Sequence, residues 1–157
     1  MSSKIIALAS DHGGYELKTI LKETLVSQGM SVLDLGTDGP QSVDYPDYAD
    51  AMAAAIGDGR AEVGVLLCGT GIGISIAANR YPVLRAALVH DAFGARLARQ
   101  HNDANVIVFG GRTTGVEVAR DCLSVFLSTP FEGGRHAARV AKMGADRRGC
   151  SPVPQGK

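Results

Sequence analysis

The chain has 157 residues, of which 16 are Lys or Arg and 16 are Asp or Glu, so its formal net charge is zero. Balanced charge offers no global field for nucleic acid or an anionic membrane, and a chain without tryptophan is poor in base-stacking surfaces, so neither is expected as a partner. The length suits one domain with a real hydrophobic core. Three cysteines (Cys68, Cys122 and Cys150), an odd number without a C-x-x-C pair, fit a reducing compartment and argue against a structural zinc site. The opening residues lack the long apolar region of a signal peptide, and no apolar run approaches a membrane span. A cytoplasmic location is therefore expected.

Strands and helices alternate along the chain. Lys4–Ala9 reads as an apolar strand, followed by a helix over Tyr15–Gln28 with Leu17, Ile20, Leu21 and Leu25 on one face. Gly29 closes that helix, and Ser31–Leu35 is the second strand. Gly36–Asp44, rich in Gly, Asp, Pro and Ser, is a loop, and a helix over Pro46–Ile56 carries its proline in the first turn. Then come strand Val63–Leu67, helix Ile74–Arg80, strand Arg85–Val89, helix Ala92–Gln100, strand Asn105–Phe109 and helix Val116–Leu127. A last helix over Gly134–Met143 precedes a tail, Arg147–Lys157, that is expected to fray. Five apolar strands with intervening helices predict a doubly wound parallel sheet, covered on both faces, in a single domain over residues 1–146.

The segment from Val63 to Asn79 is the most informative. A buried strand ends at Cys68, runs through alternating glycines (Gly69, Gly71, Gly73) and enters a helix directly. Glycines leave backbone N–H groups open to an oxyanion, and a helix N-terminus lowers the pKa of a neighbouring thiol, which makes Cys68 a candidate base or nucleophile. The same turn could serve packing alone, since free cysteine is often buried. It is not a dinucleotide fingerprint, because the third glycine of G-x-G-x-x-G would fall at Ile74.

Ligands of such sheets bind beyond the carboxyl ends of the strands, and polar residues gather at the loops and helix ends. Asp11 and His12 follow the first strand, His90 and Asp91 the fourth, and Arg112 the fifth. His101 and Asn102 end one helix; Arg135, His136 and Arg139 open the last. Asp11 either caps the first helix or takes part in chemistry. His101 and Asn102 are either a helix C-cap or ligand groups. Arg135 and Arg139 are either a phosphate fork or a solvated basic face. His90 and His136 stay unassigned, and neither Cys122 nor Cys150 receives a role.

Five motifs together resemble the type B ribose-5-phosphate isomerases, a family that also holds allose-6-phosphate and galactose-6-phosphate isomerases. They are Ser10-Asp11-His12-Gly13-Gly14, Asp44-Tyr45-Pro46, Cys68 to Ser75, Arg99 to Asn105, and Glu132-Gly133-Gly134-Arg135-His136. The likeness extends to about Met143. It implies a Rossmann-like fold, no metal or other cofactor, and a homo-oligomer, dimer or tetramer, whose active site lies between two subunits. It further implies Cys68 as the base between C1 and C2, with Thr70 and the N–H groups of Gly69, Gly71 and Gly73 holding the enediolate oxygen. His101 would assist ring opening and Asp11 would move the hydroxyl proton. His12, Arg112, Arg135 and Arg139 would bind phosphate, while Tyr45 and Asn102 line the sugar. Some members replace the cysteine by a glutamate soon after the glycine loop; here Cys68 is present and that position is Ile74.

The chemistry agrees with these residue types. Abstracting a proton beside a carbonyl builds charge on oxygen, and a preorganised N–H donor there is worth on the order of 3 kcal/mol. Ring opening needs a separate acid–base group, for which histidine titrates in the right range. The sequence expectation is that one end of the sheet supplies every group. A six-carbon sugar phosphate, or a non-catalytic sugar-phosphate sensor, is the competing assignment.

Overall fold

The computed structural model describes residues 4–144; Cys150 and the tail expected to fray lie outside the described residues. The elements run β1 (Ile5–Ser10), α1 (Tyr15–Ser27), β2 (Ser31–Asp34), α2 (Tyr45–Gly57), β3 (Val63–Cys68) and α3 (Ile72–Ala78). They continue with β4 (Ala86–Leu88), α4 (Ala92–Asn102), β5 (Val106–Gly110), α5 (Val116–Ser128) and α6 (Arg135–Gly144). All pairings are parallel, and the spatial order is β2-β1-β3-β5-β4.

That order dictates the layers. The steps β1 to β2 and β4 to β5 move across the sheet in one direction, whereas β2 to β3 and β3 to β4 move in the other. Right-handed crossovers put helices from opposite steps on opposite faces. Accordingly Leu17, Leu21 and Leu25 of α1, Ala95 and Ala98 of α4, and Leu123 and Phe126 of α5 share one core. Met52 of α2 and Ile74 and Ala78 of α3 belong to the other. The inner strands alternate accordingly. Leu8, Val65, Leu67, Ile107 and Phe109 face the first core, and Ala7, Leu66, Cys68, Val106 and Val108 the second. Full burial of each large side chain contributes about 1.5–3 kcal/mol, so the three central strands form the rigid part of the molecule.

Every predicted element is present, with ends displaced by up to two residues. The largest displacement is at α3, which starts at Ile72 rather than Ile74 and stops at Ala78 rather than Arg80. Gly71, with φ of 76°, turns the chain so sharply that the next residue is already helical. At the other end the Asn79 amide exchanges two hydrogen bonds with the backbone of Ala86, and this ties the chain to the edge strand instead of continuing the helix.

One buried charge fixes α1 to β2. Lys18, 2% exposed, donates to Asp34 at 2.6 Å, and Lys22 donates to the other oxygen at 2.9 Å. Burial raises the Asp34 pKa, but hydrogen bonds from Lys18, Lys22 and the Gly36 N–H outweigh it and hold the carboxyl below its ordinary range. The loop leaving β2 is thereby held against the carboxyl end of β1, where the Ser10 N–H donates to Gly36 and the Thr37 N–H to Ser10.

Candidate active site

Cys68 is the last residue of β3 and 4% exposed, and its Sγ accepts a hydrogen bond from the Gly71 N–H at 3.2 Å. The chain therefore folds back over its own thiol, which requires glycine at 71. A Cβ there would lie 2.6 Å from a Leu88 methyl and 2.9 Å from the Phe109 carbonyl carbon. Thr70, exposed at the tip, accepts from the Ile72 N–H through Oγ1 at 3.2 Å, which leaves its hydroxyl proton available to a ligand.

Neighbouring strand ends close around this turn. The Gly111 N–H donates to the Cys68 carbonyl at 2.8 Å and the Arg112 N–H to the Gly69 carbonyl at 2.9 Å. The Arg112 guanidinium consequently lies over Gly69, where a Cβ would stand 3.1 Å from it. The Tyr45 ring, at the start of α2, covers Gly73 in the same way. From β1, the buried Asp11 carboxylate accepts from the N–H groups of Gly13 and Gly14 at 2.9 and 3.2 Å through one oxygen. Asp11 thus does shape the turn into α1, although Gly14 and not Asp11 is the N-cap. His12 accepts from the Val43 N–H at Nδ1, so its ring proton resides on Nε2. His12 and Arg112 line one groove of about 440 Å³.

His101, Asn102, Arg135 and Arg139 are not there. This corrects the expectation that one end of the sheet carries every group. A helix joining parallel strands must run back against them, so α4 begins beside the carboxyl end of β4 and finishes at the amino end of β5. Asp103 caps it there in the left-handed conformation (φ 44°), held by Arg85 and Arg99. Ala104 and Asn105 then lead into β5, with the Asn105 N–H donating to the carbonyl of Arg85, just before β4. Cys68 pairs with Gly110 and Gly64 with Val106. Four rises of about 3.3 Å therefore separate the two ends, roughly 13 Å of sheet, which a histidine side chain cannot span.

The far group has its own order. The Glu132 N–H donates to the Gln100 carbonyl at 3.1 Å, which ties the start of α6 to the end of α4. His136, 5% exposed, stacks on His101 with ring centroids 4.1 Å apart and planes 12° from parallel. Arg135 and Arg139 are exposed on α6, one turn apart. Burial, with His101 and Arg135 nearby, holds His136 below the ordinary imidazole range, against a smaller upward pull from Glu132. Donor atoms of His101, Glu132 and His136 lie within 4.8 Å of one another. The rings are almost parallel, however, so their in-plane lone pairs run side by side and do not converge on a common point as metal ligands must. Glu132 opens the last of the five sequence motifs without an assigned role, and the stack depends on how α6 packs against α4, which no sequence spacing predicts.

The two groups are thus set on separate, rigid frames at opposite ends of one sheet. Compared with known proteins, residues 6–143 match the family model described as Ribose/Galactose Isomerase. The chain belongs to that family. It is a sugar phosphate isomerase of the aldose–ketose class, with a Rossmann-like fold. Ribose-5-phosphate isomerase B of Escherichia coli is 44% identical over 137 residues, 87% of this chain and 92% of that protein. A crystal structure of a ribose 5-phosphate isomerase from Thermotoga maritima is 50% identical, covers 91% of this chain and 99% of its own, and superposes with a TM-score of 0.89. The D-erythrulose-4-phosphate isomerase of Pectobacterium atrosepticum is 41% identical over 141 residues, 88% of this chain and 92% of that protein. No helix among the described residues is long and apolar enough to cross a membrane.

Proposed function

We propose that the protein interconverts ribose 5-phosphate and ribulose 5-phosphate through an enediolate, in sites shared between two copies of the chain. The Cys68 thiol, facing an N–H donor inside a glycine turn, is the observation that carries this reading. Cys68 as thiolate takes the proton from C2 of the open-chain aldose. The C–H electron pair becomes the C1–C2 double bond, and the carbonyl oxygen takes up the charge. Thr70 and the N–H groups of Gly69, Gly71 and Gly73 receive that oxygen. Cys68 returns the proton to C1, and Asp11 moves the hydroxyl proton from O2 to O1. His12 and Arg112 hold phosphate, and Tyr45 lines the sugar.

A second copy supplies what this end of the sheet lacks. His101 opens the furanose ring, Asn102 lines the sugar, and Arg135 and Arg139 complete the phosphate cradle. Apolar surface is exposed beside the Cys68 turn, with Ile76 63% and Ile72 54% accessible on α3 next to Tyr45, which supports coverage by a partner. The assembly is a homodimer, or a tetramer built from it, in the cytoplasm, and neither metal nor cofactor takes part.

Purified protein should isomerise ribose 5-phosphate faster than allose 6-phosphate or galactose 6-phosphate, and exhaustive chelation should leave the rate unchanged. Faster turnover of a six-carbon sugar would overturn the substrate assignment. Activity lost to chelator and restored by zinc, manganese or magnesium would overturn the metal-free mechanism. Phosphate binding is separable from chemistry. Arg135→Ala and Arg139→Ala should each raise KM and weaken inhibition by inorganic phosphate, because each removes a charge-assisted contact of about 1.5–3 kcal/mol. Unchanged KM and inhibition would return α6 to the role of a solvated basic face.

A further inference from the structure

The stacked imidazoles at the far end of the sheet point to a residue not yet assigned. We infer that His136 is a positioning residue for ring opening, its buried imidazole holding the His101 ring in the orientation the sugar needs. The inference rests on the reading of His101 as the ring-opening group.

His101 is the next-to-last residue of α4, and its side chain still has two torsions of its own to be fixed. A general acid must nevertheless be placed within about half an ångström of its target. The structure supplies the missing restraint from a second element. His136 is in the first turn of α6 and buried, and its plane covers one face of the His101 ring at 4.1 Å. His136 is itself held by its burial on α6, and the Glu132 backbone, one turn before it, is tied to Gln100, next to His101. The groups facing the pair are Glu132, Arg135 and Arg139; burial and the two arginines favour the neutral His136 ring, against an upward pull from Glu132. A neutral ring can lie flat on His101 in either of that residue's charge states, whereas a second imidazolium could not.

The test separates ring opening from proton transfer. Ribulose 5-phosphate cannot close a five-membered ring, because phosphate occupies the oxygen that would close it. Solvent deuterium entering C1 of ribulose 5-phosphate therefore reports proton transfer alone, while turnover of ribose 5-phosphate requires ring opening as well. Both are measured in wild type, His101→Asn, His136→Ala, His136→Gln and His136→Phe. Removing the ring, as Ala or Gln, should lower kcat on ribose 5-phosphate by at least about tenfold, with KM and the deuterium rate close to wild type. His136→Phe, which restores a flat face, should recover most of the lost kcat.

Equal loss of both rates, a rise in KM alone, full activity without the ring, or a Phe variant as poor as Gln would each overturn the inference. Should Ala fail to fold, Gln, close to histidine in volume, decides the same question. His101→Asn tells the two failures apart. If it too leaves both rates in their wild-type ratio, the ring-opening role of His101 is wrong. If it separates them and the His136 variants do not, only the role of His136 is wrong. Wild type inactive on both sugars removes the premise, and the inference with it.

Discussion

A Cys68→Ala enzyme is expected to lose isomerisation almost completely while binding sugar phosphate as well as wild type. In the proposed mechanism the thiol carries the carbon-bound proton, and a lost general base commonly lowers kcat by ~10²–10⁴-fold. In the proposed assembly phosphate is held by other residues, His12 and Arg112 at this end and Arg135 and Arg139 of the second copy. KM should therefore stay near its wild-type value, the signature of a group acting only in the transition state. The substitution removes one buried sulfur and leaves Cβ in place, so the glycine turn loses a single hydrogen bond, that from Gly71. Cys122 provides the control. It is fully buried on α5 with its thiol pushed upward by burial, which marks it as inert, so Cys122→Ala should keep kcat. Coupled turnover assays and calorimetric titration with a product analogue give the two quantities. Substantial turnover by Cys68→Ala would remove the thiol as base and shift attention to Asp11.

Most of the fold was legible because each inner strand is a short apolar run bounded by glycine or polar residues. The intervening helices carry their own stops, such as Gly29, with φ of 78°, after α1. The turn at Cys68 was legible for a related reason: alternate glycines in front of a helix have few uses other than close backbone approach. What escaped sequence reasoning was placement across the sheet. Residue type alone groups His101 and Arg135 with Cys68 at one end, whereas the direction of α4 separates them. A crossover helix between parallel strands runs back, so residues at its C-terminus belong to the amino ends of the strands. Contacts between elements distant in sequence were invisible for a different reason. The His12–Val43 bond and the His101–His136 stack are set by tertiary packing, and no local propensity or spacing encodes them.

Mixing two inactive variants should restore activity, and this second expectation follows from the separation of the two groups. Each shared site would take Cys68 from one copy and His101 from the other, related by a two-fold axis. A Cys68→Ala homodimer has no base in either site, and a His101→Asn homodimer has no ring-opening group. In a mixed dimer both lesions fall in one site, and the other is wild type throughout. Random exchange makes half of the dimers mixed, so about a quarter of all sites, and about a quarter of wild-type activity on ribose 5-phosphate, should return. Pairing Cys68→Ala with Thr70→Ala is the counter-test, because both residues belong to the same half and every mixed site keeps one lesion. That mixture should gain nothing beyond the summed residual rates. Native mass spectrometry confirms that subunits have exchanged. If mixed dimers form and no activity returns, the site is not shared in this way. His101 would then have to reach Cys68 within its own chain, which the length of β5 forbids, or take no part in the reaction.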